Sequence, residues 1–288
     1  MTTLRRWRGR ITALAAAALV AALLALPPVQ AAADQLLKIF RVQAVVFVPV
    51  SEDRMRELEQ LNFDESTLFV SEPALVNDPG EPQVAAGAAE AARLAGLGVL
   101  AEPAFAEPPA TAEYQVRGRS ALQFQVNVDS ARQLLLLAGV DDVTLPDELG
   151  REPITADLPA TVTATYRGPT YDLTLIQGSS PQVTVPEGVE LEQLGVALLR
   201  LLGTPRDQAE ALGRQIDWST TFVFPFPADM DGVQTVDLGG ATGLLVTARD
   251  GDGRHRHLYW QRGDRFFVLE ARGGIDQSAF LAIAESIR

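Results

Sequence analysis

The sequence predicts an α+β fold in which an antiparallel sheet, built from a meander and hairpins, packs with helices and follows one N-terminal transmembrane or signal helix. Segments of alternating apolar and polar residues, joined by Gly- and Asp-rich turns, recur through the second half of the chain. The helices between them need not cross over between parallel strands, which favours antiparallel pairing. An apolar run behind a group of arginines supplies the leading helix.

The chain starts with a short basic segment, residues 1–10, followed by the apolar residues 11–33. As a transmembrane anchor, the 23 residues of 11–33 would extend roughly 34 Å and cross a hydrocarbon core of about 30 Å. Cleavage at Ala31 or Ala33 would instead make the segment a signal peptide. In both cases we expect residues 34–288 outside the cytoplasm. The basic side chains that stay on the cytoplasmic side are Arg5, Arg6, Arg8 and Arg10.

Residues 34–43 are predicted to form a juxtamembrane helix. Apolar residues alternate there with Lys38 and Arg41, which would point to lipid headgroups if the helix lay at the membrane interface. The same pattern also fits a helix that packs on the domain behind it. The remaining residues, 44–288, are expected to form the extracytoplasmic domain.

Composition excludes several classes of function. Beyond residue 33 the chain has 20 Lys and Arg against 37 Asp and Glu, so this part is strongly acidic and unsuited to nucleic acid or anionic lipid. There is no cysteine, which rules out disulfides, thiolate nucleophiles and cysteine metal ligands. An acidic surface attracts cations or a basic partner, although its commonest role is solubility.

The first part of the predicted domain combines one strand, one helix and a poorly structured stretch. Ala44–Val50 is an apolar run of strand length, mostly β-branched or aromatic, and Pro49 indicates that it ends at, or lies on, a sheet edge. Ser51 is expected to cap a helix that follows. Residues 71–113 are rich in Pro, Ala and Glu and are the best candidate for an internal domain boundary. Residues 114–128 are predicted to form a hairpin around Gly118.

Leucines are concentrated on two predicted helices. Four consecutive leucines, capped by Asp129 or Ser130, cover the whole circumference of the first helix, so one face must meet more core, a ligand or a partner. A second helix has a leucine stripe that ends at Gly203. The candidate residues of an apolar ligand or partner surface are Leu134, Leu135, Leu136, Leu137, Leu198 and Leu202.

The remaining segments predict paired strands and a closing helix. Residues 161–167 and 171–176 read as a hairpin across Gly168. Residues 233–271 read as a four-stranded antiparallel meander with turns at Gly and Asp. The final segment has apolar residues at the spacing of a helix that packs on this sheet, namely Phe280, Ile283, Ala284 and Ile287.

Chemical motifs are scarce. His255 and His257 share one face of a predicted strand, and Asp250 and Asp252 precede them, but an exposed charged hairpin explains the four better than a metal site. The Asp-Gly-Asp-Gly opening fails as a calcium loop because Gln261 stands where a bidentate glutamate belongs. No nucleophile elbow or phosphate-binding loop occurs, so we predict no cofactor and no enzyme.

Three stretches resemble a known family. The arginine-flanked apolar helix with residues 35–43 (QLLKIFRVQ) is similar to the membrane exit of bacterial anti-sigma-factor-like proteins. Residues 258–270 (LYWQRGDRFFVLE) with 283–287 (IAESI) resemble the end of the uncharacterised ectodomain that those proteins often carry, and Asp217-Trp218 before residues 222–227 adds a weaker likeness. The resemblance implies a membrane-tethered sensory or binding domain and favours the anchor. The zinc-binding domain that holds a sigma factor has no counterpart in residues 1–10, so sigma-factor binding is not implied.

Three functions follow as hypotheses. The first is a non-enzymatic envelope domain that binds a protein or another envelope component. The second is a periplasmic or surface carrier of lipid or lipoprotein, which the leucine-rich helices would serve. The third is a hydrolase with paired carboxylates, for which the 37 acids single out no pair.

Overall fold

The computed structural model describes residues 37–41, 44–61, 63–228, 232–250 and 253–288. In this part the fold is mixed α+β with mostly antiparallel sheets, as predicted. The strands are β1 (Leu37–Arg41), β2 (Ala44–Val50), β3 (Ala74–Asn77), β4 (Gln83–Ala85), β5 (Thr111–Arg117), β6 (Ser120–Phe124), β7 (Ile154–Leu158), β8 (Thr161–Arg167), β9 (Tyr171–Ser179), β10 (Gln182–Pro186), β11 (Thr221–Pro227), β12 (Val233–Asp237), β13 (Thr242–Asp250), β14 (Gly253–Arg262) and β15 (Arg265–Gly273). The helices are α1 (Glu52–Gln60), α2 (Ala88–Leu94), α3 (Val128–Leu137), α4 (Leu191–Leu201), α5 (Arg206–Gln215) and α6 (Gln277–Ser286).

The chain divides into two compact units. The described residues of the first unit fall within 37–76, 121–157 and 181–228, and those of the second within 77–120, 158–180 and 232–288. One of the divisions, between Val76 and Asn77, lies in the proline-rich stretch proposed as an internal boundary. The predicted membrane or signal segment, 11–33, lies outside the described residues. None of the described helices combines the length and the apolar character needed to cross a membrane.

The first unit contains a five-stranded sheet and a separate pair of strands. Three strands of the sheet have one end residue that belongs to the second unit, namely Asn77, Ser120 and Leu158. The order in the sheet is β1-β10-β7-β6-β3, whereas β2 and β11 pair in parallel, contrary to an all-antiparallel arrangement. Residues 37–41 are strand β1 and not the expected juxtamembrane helix, because β10 supplies backbone partners from Leu37↔Pro186 to Arg41↔Gln182. So short an apolar stretch fits the spacing of a helix and that of a strand equally well, and the neighbouring strand determines which of the two forms.

The core of the first unit is built around α4. Leu194, Leu198 and Leu199 are buried there with strand residues such as Val183 and Val223. The indole of Trp218 lies flat against α4: a Cβ added at Gly195 would stand 2.2 Å from Trp218 Cε2. The indole N–H donates to the Gly213 carbonyl at 2.8 Å and so also holds the end of α5.

The predicted hairpin around Gly118 does not form. β5 pairs with β4 and β8 in an eight-stranded sheet, whereas β6 belongs to the five-stranded sheet. Gly118 was interpreted as a turn residue, but it serves a close approach: a Cβ there would stand 2.6 Å from the Pro79 carbonyl oxygen.

The second unit is organised by the eight-stranded sheet, whose order is β12-β13-β14-β15-β9-β8-β5-β4. The predicted meander is confirmed as β12 to β15, and the predicted hairpin across Gly168 is confirmed as β8 and β9. Side chains from one face form the core with α2 and α6. The final helix buries Phe280, Ile283, Ala284 and Ile287, as the spacing predicts.

Two arginines of β14 hold the ends of α6. Arg256, only 2% exposed, donates from Nη1 to the Ile275 carbonyl just before the helix. Arg262 donates to the Ile287 carbonyl at 2.6 Å beyond the other end. Asp276 caps the helix by accepting from the Ala279 N–H at 2.8 Å. Backbone groups at both helix ends therefore have partners, which fixes α6 on the sheet.

Candidate functional site

The structure divides the leucines proposed as an apolar ligand or partner surface. Leu198 and Leu202 are 1% and 3% exposed and Leu135 is 6% exposed, so these three belong to the core of the first unit. Leu134 is partly buried. Leu136 and Leu137, by contrast, are 62% and 49% exposed at the end of α3. Only these last two remain candidates for contact with a ligand or a partner.

Strand β3 is a second exposed apolar surface in the first unit. It forms one edge of the five-stranded sheet, and each of its four residues, Ala74–Asn77, is exposed. Leu75 and Val76 are 55% and 53% exposed, and Val70 just before the strand is 59% exposed. We call Ala74–Asn77 with its open backbone side the β3 edge. It falls within residues 71–113, the stretch expected to be poorly structured, although its apolar triplet Ala-Leu-Val is a usable signal of a strand.

The surroundings of the β3 edge are acidic. Between Arg56 and Arg93 the chain has eight Asp and Glu and no Lys, Arg or His. The acids that flank β3 in sequence, Glu72, Asp78 and Glu81, are all exposed. The strand therefore combines apolar side chains with a local excess of negative charge. Such a surface favours a ligand with the opposite charge and some apolar character.

The weak metal candidates do not converge on one site in the described part of the chain. His255 and His257 lie on β14, and His257 Nδ1 is 3.4 Å from Glu270 Oε1 on the neighbouring strand. The hydrogen bond from His257 holds the pKa of Glu270 below its ordinary value despite partial burial. Asp252 and the side chain of Asp250 lie outside what the structure describes. Among the described residues no group of three or more acids and histidines is arranged to hold a metal ion.

The proposed membrane contacts cannot be placed in one surface. Arg5, Arg6, Arg8 and Arg10 precede the described residues. Lys38 and Arg41 belong to strand β1, at the edge of the five-stranded sheet opposite β3. Their role at lipid headgroups stays a prediction.

A polar cluster that the sequence did not reveal lies in the second unit. Tyr114 Oη donates to Glu102 Oε1 at 2.7 Å, and the Tyr166 ring packs edge-on against Tyr114 and beside Phe105. Burial, together with Glu102, raises the pKa of Tyr114 to about 12, and burial also raises the pKa of Tyr166. Both phenols therefore stay protonated near neutral pH. Tyr114 is a buried hydrogen-bond donor, and Tyr166 contributes ring packing to the same cluster.

A buried glutamine completes this cluster. Gln177 is fully buried in β9 and binds the backbone of Ala101 twice: it accepts from the N–H at 2.9 Å and donates to the carbonyl at 3.0 Å. Ser286 on α6 accepts from the Ala104 N–H at 2.8 Å. These contacts attach the irregular chain after α2 to the sheet and to α6. These hydrogen bonds fix the position of residues 101–104 and have a structural role.

Carboxyl groups with an altered pKa are all shifted downward in the described part of the chain. They are Asp64, Asp147, Glu270 and Asp276, and each owes its lowered pKa first to a hydrogen bond from a neighbouring backbone or side chain. A general acid at neutral pH needs the opposite shift, which burial without a partner produces. These four carboxylates serve as caps and ion-pair partners.

Comparisons with known proteins identify no relative. No family model matches the chain, and neither the curated proteins nor the solved structures contain a match.

Proposed function

We propose that the chain is a non-enzymatic, membrane-tethered extracytoplasmic binding domain of a bacterial envelope protein, similar to the ectodomains of anti-sigma regulators. The observation that carries this proposal is the β3 edge, where apolar side chains and an open strand are exposed together. Scattered exposed apolar residues are ordinary, but an apolar edge strand is a site at which another chain adds.

The export part of the proposal rests on the sequence. Four arginines precede residues 11–33, and the chain turns acidic from Asp34 onward. This order favours a tether whose basic end stays in the cytoplasm and whose acidic domain lies outside. A cleaved signal, with a secreted or periplasmic product, is the alternative. The likeness to anti-sigma-factor-like proteins rests on residues 35–43 and 258–287 and supports the tethered form.

The choice of binding over catalysis is supported by what the polar groups do. The shifted carboxylates cap helices and pair with cations, and the buried tyrosines have raised pKa values that disfavour proton abstraction. An acid and a base with pKa values driven apart would support a hydrolase. The proposed partner is therefore held and not transformed.

Membrane fractionation with protease accessibility tests the proposal. The full chain is expected in the membrane fraction, resistant to salt extraction and released by detergent. Protease added from outside should digest the acidic domain, and mass spectrometry should find residues 1–33 retained in the anchored form. A soluble cytosolic product would contradict the proposal, whereas a mature N-terminus after Ala31 or Ala33 would replace the tether by a secreted domain.

The lipid or lipoprotein carrier stays a second candidate because Leu136 and Leu137 are exposed. Native mass spectrometry of the chain purified from its envelope in mild detergent tests it. A bound acyl lipid that is lost when both leucines are changed to Ser would favour the carrier. Retention of the lipid in that double variant, or no lipid at all, would leave the protein-binding function as the better account.

A further inference from the structure

One side of β3 has backbone hydrogen-bonding groups that meet no neighbouring strand in the described part of the chain. In the described sheet β3 is a terminal strand next to β6, so its other side has no strand beside it. Natural proteins commonly protect such edges with lysines or cover them with a helix. Here the strand has no lysine or arginine, and all four residues are exposed. An incoming strand would find both backbone partners and side-chain surface.

The side chains of β3 present apolar surface on both faces. Successive residues of a strand point to opposite faces, so Leu75 lies on one face and Val76 on the other. Both are more than half exposed. An added strand would bury them through cross-strand contacts, which contribute about 0.2–1 kcal/mol per pair. Pro73 and Pro79 lack an N–H and limit the added pairing to Ala74–Asn77.

The negative charge of the first unit favours a cationic segment as the strand that pairs with β3. Among the described residues the first unit has 20 Asp and Glu against nine Lys and Arg, whereas the second has 13 against 11. A second copy of β3 would bring Glu72 and Asp78 against the same acids of the first copy, and like charges opposed across a strand pair destabilise it. A segment with Lys or Arg beside its apolar residues has the complementary charge.

We propose that the β3 edge binds an extended, cationic segment of a protein partner, in which Lys or Arg alternates with apolar residues, as a sixth strand of the five-stranded sheet. This inference rests on the proposed binding function and names its site and the chemistry of its partner. Main-chain hydrogen bonds would provide affinity, and the alternating side chains would provide selection. The acids near β3 would increase the association rate at low salt.

Synthetic peptides test this site on the full chain in non-ionic detergent. A peptide of about nine residues, a common strand length, alternates Lys and Val and is followed by fluorescence anisotropy. One matched control replaces Lys by Glu. The other keeps Lys and Val but has N-methyl groups on consecutive backbone nitrogens, so neither edge of the peptide can donate hydrogen bonds while its charge and side chains are unchanged. We expect each control to bind at least about tenfold more weakly.

Protein variants locate the contact. Glu72→Lys with Asp78→Lys should lower the affinity for the Lys–Val peptide by about tenfold or more and raise the affinity for the Glu–Val peptide. Glu187→Lys with Glu190→Lys is the matched control, since it reverses two exposed acids that follow β10, three strands from β3 in the sheet, and should change the affinity much less. Circular dichroism checks that each variant is folded. Hydrogen exchange of the wild-type chain should slow, when the peptide binds, at those alternate residues of Ala74–Asn77 whose N–H groups face away from β6.

Three results would overturn the inference. The N-methylated peptide could bind as well as its parent, the charge variant could leave both affinities unchanged, or exchange at Ala74–Asn77 could stay fast in the bound state. Each would show adhesion by charge alone or binding elsewhere. The proposed function would survive any of these results if crosslinking in the native envelope still captured a protein through another surface, so the two failures are distinguishable.

Discussion

Arg54 connects three helices of the first unit through one guanidinium group. It extends from α1, donates from Nε to the Leu201 carbonyl at 2.9 Å and donates from Nη2 to the Ala138 carbonyl, also at 2.9 Å. These carbonyls lie at the C-terminal ends of α4 and α3, where unpaired acceptors and the helix dipole favour a cation. The third contact of Arg54 is with Glu57 at 3.0 Å.

Changing Arg54 to Lys should destabilise the protein by about 1–3 kcal/mol. Lysine keeps the charge, but it cannot direct separate donors at two carbonyls, and at least one is left without its partner. Urea unfolding followed by circular dichroism measures the loss. Arg56→Lys, two residues away, is the control, because the exposed ion pairs of Arg56 with Glu52 and Asp53 contribute little. Equal effects of the two changes would contradict this role of Arg54.

Gly195 is required by the close approach of Trp218. A side chain at residue 195 would overlap the indole ring, which is 4% exposed and hydrogen bonded to Gly213. Gly195→Ala should therefore destabilise the protein by about 1–3 kcal/mol, although alanine is the better helix former. Thermal unfolding measures the change. Gly98→Ala is the control, because a Cβ at Gly98 meets no atom within 4 Å, and it should leave the melting temperature unchanged or raise it slightly.

At the scale of elements, the N-terminal end of α6 depends on an ionised carboxylate. Asp276 accepts from the Ala279 N–H and from Ser278 Oγ, and these hydrogen bonds lower its pKa from the ordinary 3.8. A lowered native pKa gives stability that is present above 3.8 and is lost as the pH falls through the native value.

The change Asp276→Asn should remove this contribution to the pH dependence. Asparagine can still cap the helix, so the variant should approach the wild type as the pH falls below 3.8 and differ most at neutral pH. The melting temperatures of both proteins are measured between about pH 2.5 and 7. The other acids titrate alike in the two proteins, so their contribution cancels when one melting temperature is subtracted from the other. Parallel curves with a constant offset would show that the charge of Asp276 does not matter.

Elements with strong local signals were predictable, and those decided by distant partners were not. The meander β12–β15 and helix α6 follow from alternation, turns and spacing inside one continuous stretch. β1 was predicted as a helix because its backbone partner, β10, is far away in sequence. The cap of α3 is Asn127, two residues before Asp129 and three before Ser130, because the Asn127 side chain accepts from the Ser130 N–H.

The candidate site was predictable only in part for a similar reason. Four leucines in a row indicate that one face of α3 meets more core, a ligand or a partner, and in the structure Leu135 is buried whereas Leu136 and Leu137 are exposed. The same logic failed for Leu198 and Leu202, which the packing of α4 buries. The β3 edge has only a weak signal, the apolar triplet Ala-Leu-Val, because so short a strand does not show from its sequence whether it is central or terminal.

For the whole molecule, the uneven charge predicts a dependence on salt. The chain has a formal net charge of −13, and the described acids outnumber the cations mainly in the first unit. Self-repulsion of this kind is screened as the Debye length falls from about 30 Å at 0.01 M salt to about 8 Å at 0.15 M. The melting temperature should therefore rise over this range, as measured by calorimetry. A fall would mean that exposed ion pairs outweigh the repulsion.

The chain crosses five times from one unit to the other, and this limits where its gene can recombine without loss of strands. Each unit is assembled from three separate stretches, with divisions after residues 76, 120, 157, 180 and 229. A recombination event at any one of these points would deliver an incomplete set of strands to its new host gene. Neither unit is encoded by one continuous stretch of gene, and we therefore expect the two units to have evolved together.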